Sequence, residues 1–296
     1  MHKIMRLAGT LIAAAAVVLM VGGFTVRPTA GAAARQPAVS AAGKIRPGGL
    51  LVRTTAGQAG TASARAAASL ANALESTNWA GYASHQANVS FRQVEATFFV
   101  PYLNCAVSPG GTPPTASSAW VGIDGFTSTT VEQDGIEADC SGATASYSAW
   151  YEAFPAPEVT SSITINPGDS VTAIVAYSKT TQKFRMTVTD NNNGQHFSVT
   201  KICGPATCKR SSAEVISEAP SEVSGTTVTQ LPLADYGAES FTNVSVTSTS
   251  GFTGGLRSAR WGAARIIQVG STSGAVVGQS TPLHGTIFDN YWLGEI

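Results

Sequence analysis

Phe184-Arg185-Met186-Thr187-Val188-Thr189 alternates apolar and polar side chains, then runs through Asp190-Asn191-Asn192-Asn193-Gly194 into His196–Thr200. A two-residue period puts Phe184, Met186 and Val188 on one face of a strand. Asn and Gly supply the positive φ that a tight reversal needs. The passage predicts a β-hairpin.

Working outward, the same signals recur. Phe91–Val100 is rich in strand-forming residues and stops at Pro101. Ile163-Thr164-Ile165 breaks at Asn166-Pro167-Gly168-Asp169, and Val171–Tyr177 resumes the pattern. Further strands are expected at Thr226–Gln230, Thr242–Thr247, Ala264–Gln268 and Gly285–Phe288. No segment carries a sustained 3.6-residue apolar stripe with capping residues. Roughly a dozen short strands over ~220 residues predict an all-β fold, a single large antiparallel sandwich. A chain of that length can bury a substantial core.

The amino terminus sets the compartment. His2-Lys3-Ile4-Met5-Arg6 is basic, Leu7 to Phe24 is apolar, and small residues gather at Ala30-Gly31-Ala32-Ala33-Ala34. That order describes a secretory signal peptide. A membrane anchor is the competing reading, since the run approaches the ~20 residues that span a bilayer. The small residues after it favour export and cleavage. The expected organisation is a signal peptide at 1–34, a basic and largely unstructured propeptide at 35–75, and a catalytic sandwich at 76–296. Within the propeptide, Thr61–Leu74 is compatible with a short Ala-rich helix. The mature protein is expected to be secreted, monomeric and free of the membrane.

Charge is unevenly divided. Residues 1–75 hold eight Lys/Arg against one acid, Glu75, whereas residues 76–296 hold ten against seventeen, a formal −7. An acidic body argues against nucleic acid as partner, because phosphate contacts need clustered cations. The basic segment reads either as a solvated linker or as an inhibitor of its own enzyme. In the second case its cations cover an acidic cleft until acid protonates the carboxylates.

The four cysteines of the body are Cys105, Cys140, Cys203 and Cys208. In an exported chain they predict two disulfides, with three connectivities possible. Cys203 and Cys208 close a short loop, which leaves Cys105 with Cys140. Zinc is the alternative, but no Cys-x-x-Cys and no His at ligand spacing support it. No metal or organic cofactor is expected.

Most familiar catalytic sets are missing. His85, His196 and His284 lie beside no nucleophile elbow, and there is no Gly-x-Ser-x-Gly. Asp124-Gly125-Phe126 lacks the Asp-Thr/Ser-Gly loop of aspartic proteases. No His-Glu-x-x-His helix, Walker loop or dinucleotide fingerprint occurs. Three strand-like runs stand out instead: Thr130–Gly135, Ala149-Trp150-Tyr151-Glu152 and Ala213-Glu214-Val215-Ile216-Ser217-Glu218. Each sets a polar side chain in apolar surroundings, which is costly unless that side chain is paired or used. Gln133, Glu152 and Glu218 are therefore the candidates for chemistry.

With Ser76-Thr77-Asn78-Trp79-Ala80-Gly81-Tyr82 and Ala119-Trp120-Val121-Gly122-Ile123-Asp124-Gly125, these runs occur in an order and spacing that resembles the glutamic peptidases (eqolisins), in a bacterial form. The resemblance covers residues 76–296. It implies two seven-stranded antiparallel sheets, lectin (concanavalin A)-like, with a substrate groove on a concave face. It further implies acid-active endopeptidase chemistry on protein substrates, resistant to pepstatin, by a Gln/Glu dyad. Position by position, the dyad falls on Gln133 and Glu218, with Trp79, Trp120, Asp124, Trp150 and Glu152 lining or supporting the groove. Val215, Ser217, Glu132 and Ala219-Pro220 depart from the family pattern and leave subsite preference and pH optimum open.

The chemistry is self-consistent. Glu214, Ile216 and Glu218 share one face of a strand. A carboxylate with an ordinary pKa near ~4.3 remains a usable base at acidic pH, where His is charged. A Gln NH2 can donate to a developing oxyanion. Glu214 is the alternative catalyst within its strand. Two rivals lie outside peptide hydrolysis. One is a β-sandwich glycoside hydrolase using Glu152 and Glu218, with carboxylates ~5 Å apart if retaining. The other is a carbohydrate-binding module using the tryptophans.

Overall fold

The structure is a computed structural model and describes residues 44–46, 50–54, 72–108, 110–203, 208–224 and 227–295. The expected signal peptide lies outside these residues. So does most of the expected helix, whose last residue, Leu74, belongs to a strand.

Among the described residues every regular element is a β-strand. In chain order these are β1 (Lys44–Arg46), β2 (Leu74–Ser76), β3 (Trp79–His85), β4 (Phe91–Phe99), β5 (Gly110–Asp124), β6 (Val131–Gly142), β7 (Thr144–Phe154), β8 (Val159–Thr160), β9 (Ser170–Ser178) and β10 (Lys183–Asp190). They continue as β11 (His196–Ile202), β12 (Ser212–Glu218), β13 (Ser221–Ser224), β14 (Thr227–Gln230), β15 (Ala238–Ser248), β16 (Thr253–Gly254), β17 (Gly262–Val269), β18 (Val276–Ser280) and β19 (Phe288–Trp292). The hairpin read first is β10–β11, paired from Lys183↔Ile202 to Thr189↔His196. Its turn closes through Gly194 N–H to Asp190 C=O at 2.8 Å, with Gly194 at φ +75°.

Two expectations shift. Ile163–Ile165 is not a strand, because its amides turn to side chains: Ile163 N–H meets Ser161 Oγ and Thr164 N–H meets Gln195 Oε1. The strand expected at 285–288 begins only at Phe288, since Gly285 at φ +65° makes a turn closed between His284 and Ile287.

Hydrogen bonding follows the order β11-β10-β9-β4-β15-β19-β18-β17-β3-β12-β5-β6-β7-β8, with β2 and β16 attached to its side. The strand count therefore differs from the two separate seven-stranded sheets of the expectation. Pairing through β19, β18 and β17 carries the ladder from one layer into the other, and β1-β13-β14 form a small third sheet. The all-β sandwich holds. Phe98, Val175 and Met186 of one layer meet Val121, Ile136 and Val215 of the other in one buried cluster. Burying side chains of this size stabilises by ~1.5–3 kcal/mol each.

Both expected disulfides are present, Cys105–Cys140 and Cys203–Cys208. Part of the segment expected to be unstructured is ordered. β1 pairs with β13, and residues 50–54 lie beside residues 75–78.

Candidate active site

Strand register builds the site. β3, β12, β5, β6 and β7 lie side by side, and directly paired residues share a face. Three rows cross that face: Ala83–Glu214–Gly122–Gln133–Glu152, then Gly81–Ile216–Trp120–Gly135–Trp150, then Trp79–Glu218–Ser118–Glu137–Ser148. Alternate residues of the same strands, such as Tyr82, Val215, Val121 and Ile136, point the other way into the sandwich core. Period two thus separates chemistry from packing.

Gln133 and Glu218 leave the same face, two strands apart and on the outer two of the three rows. Trp120 stands between them. Its indole N–H donates to Glu218 Oε2 at 2.9 Å. A methyl at Gly122 would come within 2.8 Å of Trp120 Cζ3 and 3.3 Å of Gln133 Cβ, so only glycine leaves room for the ring beside Gln133. Gly135 has the same role from the next strand, where a Cβ would meet Trp120 Cα at 2.7 Å.

Each candidate has a defined setting. Gln133 Nε2 donates to Glu152 Oε2 at 2.6 Å, so Glu152 fixes which way the amide faces. Glu218 Oε1 accepts from Asn78 Nδ2 at 3.0 Å. Trp79 and Trp120 pack edge to face with centroids 5.0 Å apart, and Trp150 joins them in a buried cluster. Asp124 stands apart from the dyad. Its carboxylate accepts from the Arg210 and Ser211 backbone amides at 2.6 and 2.8 Å, pinning the turn that enters β12. Gln133, Glu152, Glu218 and all three tryptophans are buried. An open groove of about 1460 Å³ lies elsewhere, on β4, β9 and β10, lined by Arg92, Lys183 and Arg185.

Other buried acids share these strands. Glu214 is raised well above the usual carboxylate range by burial, and neither oxygen finds a hydrogen bond, although Ser212 and the Phe126 backbone lie near. Glu137 is also raised well above that range, by burial and then by Asp139 and Glu158. Asp139 is pushed to about 7, chiefly by burial. On the core side, burial and then the charge of Asp124 push Glu132 to about 8, and burial raises Asp134 well above the usual carboxylate range. Glu132 lies 2.9 Å from Cys208 Sγ. Glu132, Cys203 and Cys208 resemble a metal cluster, but the disulfide leaves no thiolate to bind one.

Asn78, the partner of Glu218, was visible in the Asn78-Trp79 pair but carried no signal of its own. Glu137 was hidden in the same way, because only register places it on the row of Glu218.

Comparisons with known proteins bear on family and fold. A sequence model of the Peptidase A4 family matches residues 77–286. Scytalido-glutamic peptidase, solved with a transition-state analogue inhibitor, is 28% identical with a TM-score of 0.62, covering 73% of this chain and 98% of that one. SCP-B, described as an eqolisin-family peptidase in complex with the tripeptide Ala-Ile-His, is 28% identical with a TM-score of 0.60, over 73% and 98% of the two chains. Aspergilloglutamic peptidase from Aspergillus niger is 28% identical with a TM-score of 0.51, over 60% and 99%. Comparison with curated sequences gives no significant match.

Proposed function

The chain belongs to the Peptidase A4 family and is a glutamic endopeptidase, and on that premise we propose that it cleaves protein substrates in acid with Gln133 and Glu218 as its dyad. The observation that carries this reading is their common face, with Trp120 bonded to Glu218 and packed over Gly122, the residue paired with Gln133.

Glu218, ionised, takes a proton from a water whose oxygen attacks the scissile carbonyl carbon. Gln133 donates one amide hydrogen to Glu152, and in the reaction donates the other to the carbonyl oxygen as it becomes an oxyanion. Such a donor is worth ~3–4 kcal/mol in comparable sites. Collapse of the tetrahedral intermediate breaks the C–N bond, and Glu218 returns its proton to the leaving nitrogen. Two donors, Trp120 Nε1 and Asn78 Nδ2, hold the Glu218 carboxylate in place for that transfer. Glu214 fits that role less well, because burial holds it protonated. The glycosidase reading loses Glu152, which is engaged in orienting Gln133.

The basic segment serves as the enzyme's own inhibitor, and the mature protein works outside the cell. Leu51 packs against the tryptophan cluster, and two disulfides suit an oxidising compartment. The deciding experiment incubates the chain with casein in acid, with and without pepstatin, beside Glu218→Ala. Cleavage that ignores pepstatin and vanishes in the variant is expected. Equal cleavage by the variant refutes the dyad.

A further inference from the structure

Asn78 is buried, and its side chain offers two donor hydrogens and two acceptor lone pairs. All four are engaged. Nδ2 donates to Glu218 Oε1 at 3.0 Å and to the Leu50 carbonyl at 3.2 Å. Oδ1 accepts from Ser76 Oγ at 2.8 Å and from the Val52 amide at 3.0 Å. Thr77 N–H adds a bond to the Val52 carbonyl at 3.0 Å. One amide therefore grips an extended backbone at C=O of one residue and N–H two residues on, while holding a carboxylate with its remaining hydrogen.

The gripped segment behaves like a seated strand. Its side chains alternate: Leu51 packs on the cluster of Trp79, Trp120 and Trp150, Val52 is 51% exposed, and the Arg53 guanidinium lies 4.9 Å over the Phe126 ring. If the segment leaves, a donor and an acceptor of Asn78 lose their partners in a buried place, which is unfavourable until another backbone replaces them.

We propose that Asn78 is the backbone clamp of the groove, seating residues 50–54 here and an extended substrate in their place, and aligning Glu218 with whichever peptide it holds. This deepens the peptidase reading and rests on it for the substrate. The clamp selects polypeptide in extended form with an apolar side chain over the tryptophans. It rejects proline at the next residue, whose N–H it requires. Asn78 is a positioning residue, acting through Glu218.

The test uses the full chain. Val52→Pro removes the gripped N–H without touching the body, and Asn78→Ala removes the clamp. Hydrogen exchange at neutral pH should show residues 50–54 losing protection at least tenfold in either variant, and no further loss in the double variant. Unchanged protection in Val52→Pro, or additive losses, overturns the proposal. This readout needs no catalysis, so a chain that cleaves nothing would sink the peptidase reading and leave the clamp standing.

For the substrate, the pentapeptide Leu-Leu-Val-Arg-Thr should inhibit reporter hydrolysis by the Val52→Pro chain at least tenfold better than its N-methyl-valine form. In the double variant the two peptides should inhibit equally, and a persisting difference overturns the proposal. Asn78→Ala should also move the pH–activity profile. A uniform fall at every pH means a merely structural role.

Discussion

Trp120 and Glu218 are joined by an indole N–H donated to a carboxylate at 2.9 Å, inside a face from which water is largely excluded. Trp120→Phe keeps a ring over Gly122 and deletes the donor. Hydrogen bonds to charged groups contribute ~1.5–3 kcal/mol, so kcat/KM should fall about 10- to 150-fold. Losing a donor favours the protonated carboxyl, so the acidic limb of the pH–activity profile should move to higher pH. Titration of kcat/KM from pH 2 to pH 6 checks both.

The dyad predicts an asymmetric set of losses. Glu218→Gln should cost about 10²–10⁴ in kcat, and Gln133→Ala about 10²–10³. Glu152→Ala should lower kcat with little change in KM, because it frees the Gln133 amide to rotate. Glu214→Gln should stay within about tenfold of wild type, since burial already keeps that carboxyl protonated. Steady-state kinetics on a quenched peptide decide the matter. A Glu214→Gln loss as deep as that of Glu218→Gln would move the base to Glu214.

Stability should fall as pH rises. Glu132 is raised to about 8, and Asp139 and Glu239 to about 7, each mainly by burial. The folded chain keeps these protons over a range in which the unfolded chain releases them. Stability is therefore highest below the ordinary carboxylate pKa near ~4 and declines through about pH 8. Melting temperatures across that window should show the slope, and Glu132→Gln should flatten it. The Ser217 hydroxyl donates to Glu239 directly behind Glu218, so alkaline loss of structure should start near the site.

The two disulfides should differ in weight. Cys105–Cys140 closes 35 residues and Cys203–Cys208 closes five. Loop-closure entropy gives about 4 kcal/mol for the first and about 2 for the second. Urea denaturation of the paired Cys→Ser variants should reproduce that order.

The sequence showed its strands where only one face is buried. In β10 the alternation of Phe184, Met186 and Val188 with polar residues is clean, and the hairpin follows from it. In β6 both faces are covered, so Glu132, Gln133 and Asp134 are buried in succession and no periodicity tells which of them faces the site. Resemblance to a family selected Gln133, and register sets it on the face that carries Glu218. Asn78 lies 140 residues from Glu218. No local pattern can announce such a partner, because the pairing of β3 with β12 creates it. Gly285 misled in the opposite sense, its apolar neighbours suggesting a strand where positive φ makes a turn.

Every candidate catalytic side chain is carried by a paired strand residue. One codon gained or lost inside β5, β6 or β12 would exchange the two faces beyond that point, sending the acids inward and the aliphatic residues out. Descendants of this gene can therefore vary loop lengths and swap residues in place, but the reading frame of those three strands is frozen. What the enzyme cuts is open to evolutionary tinkering; the machinery that does the cutting is not.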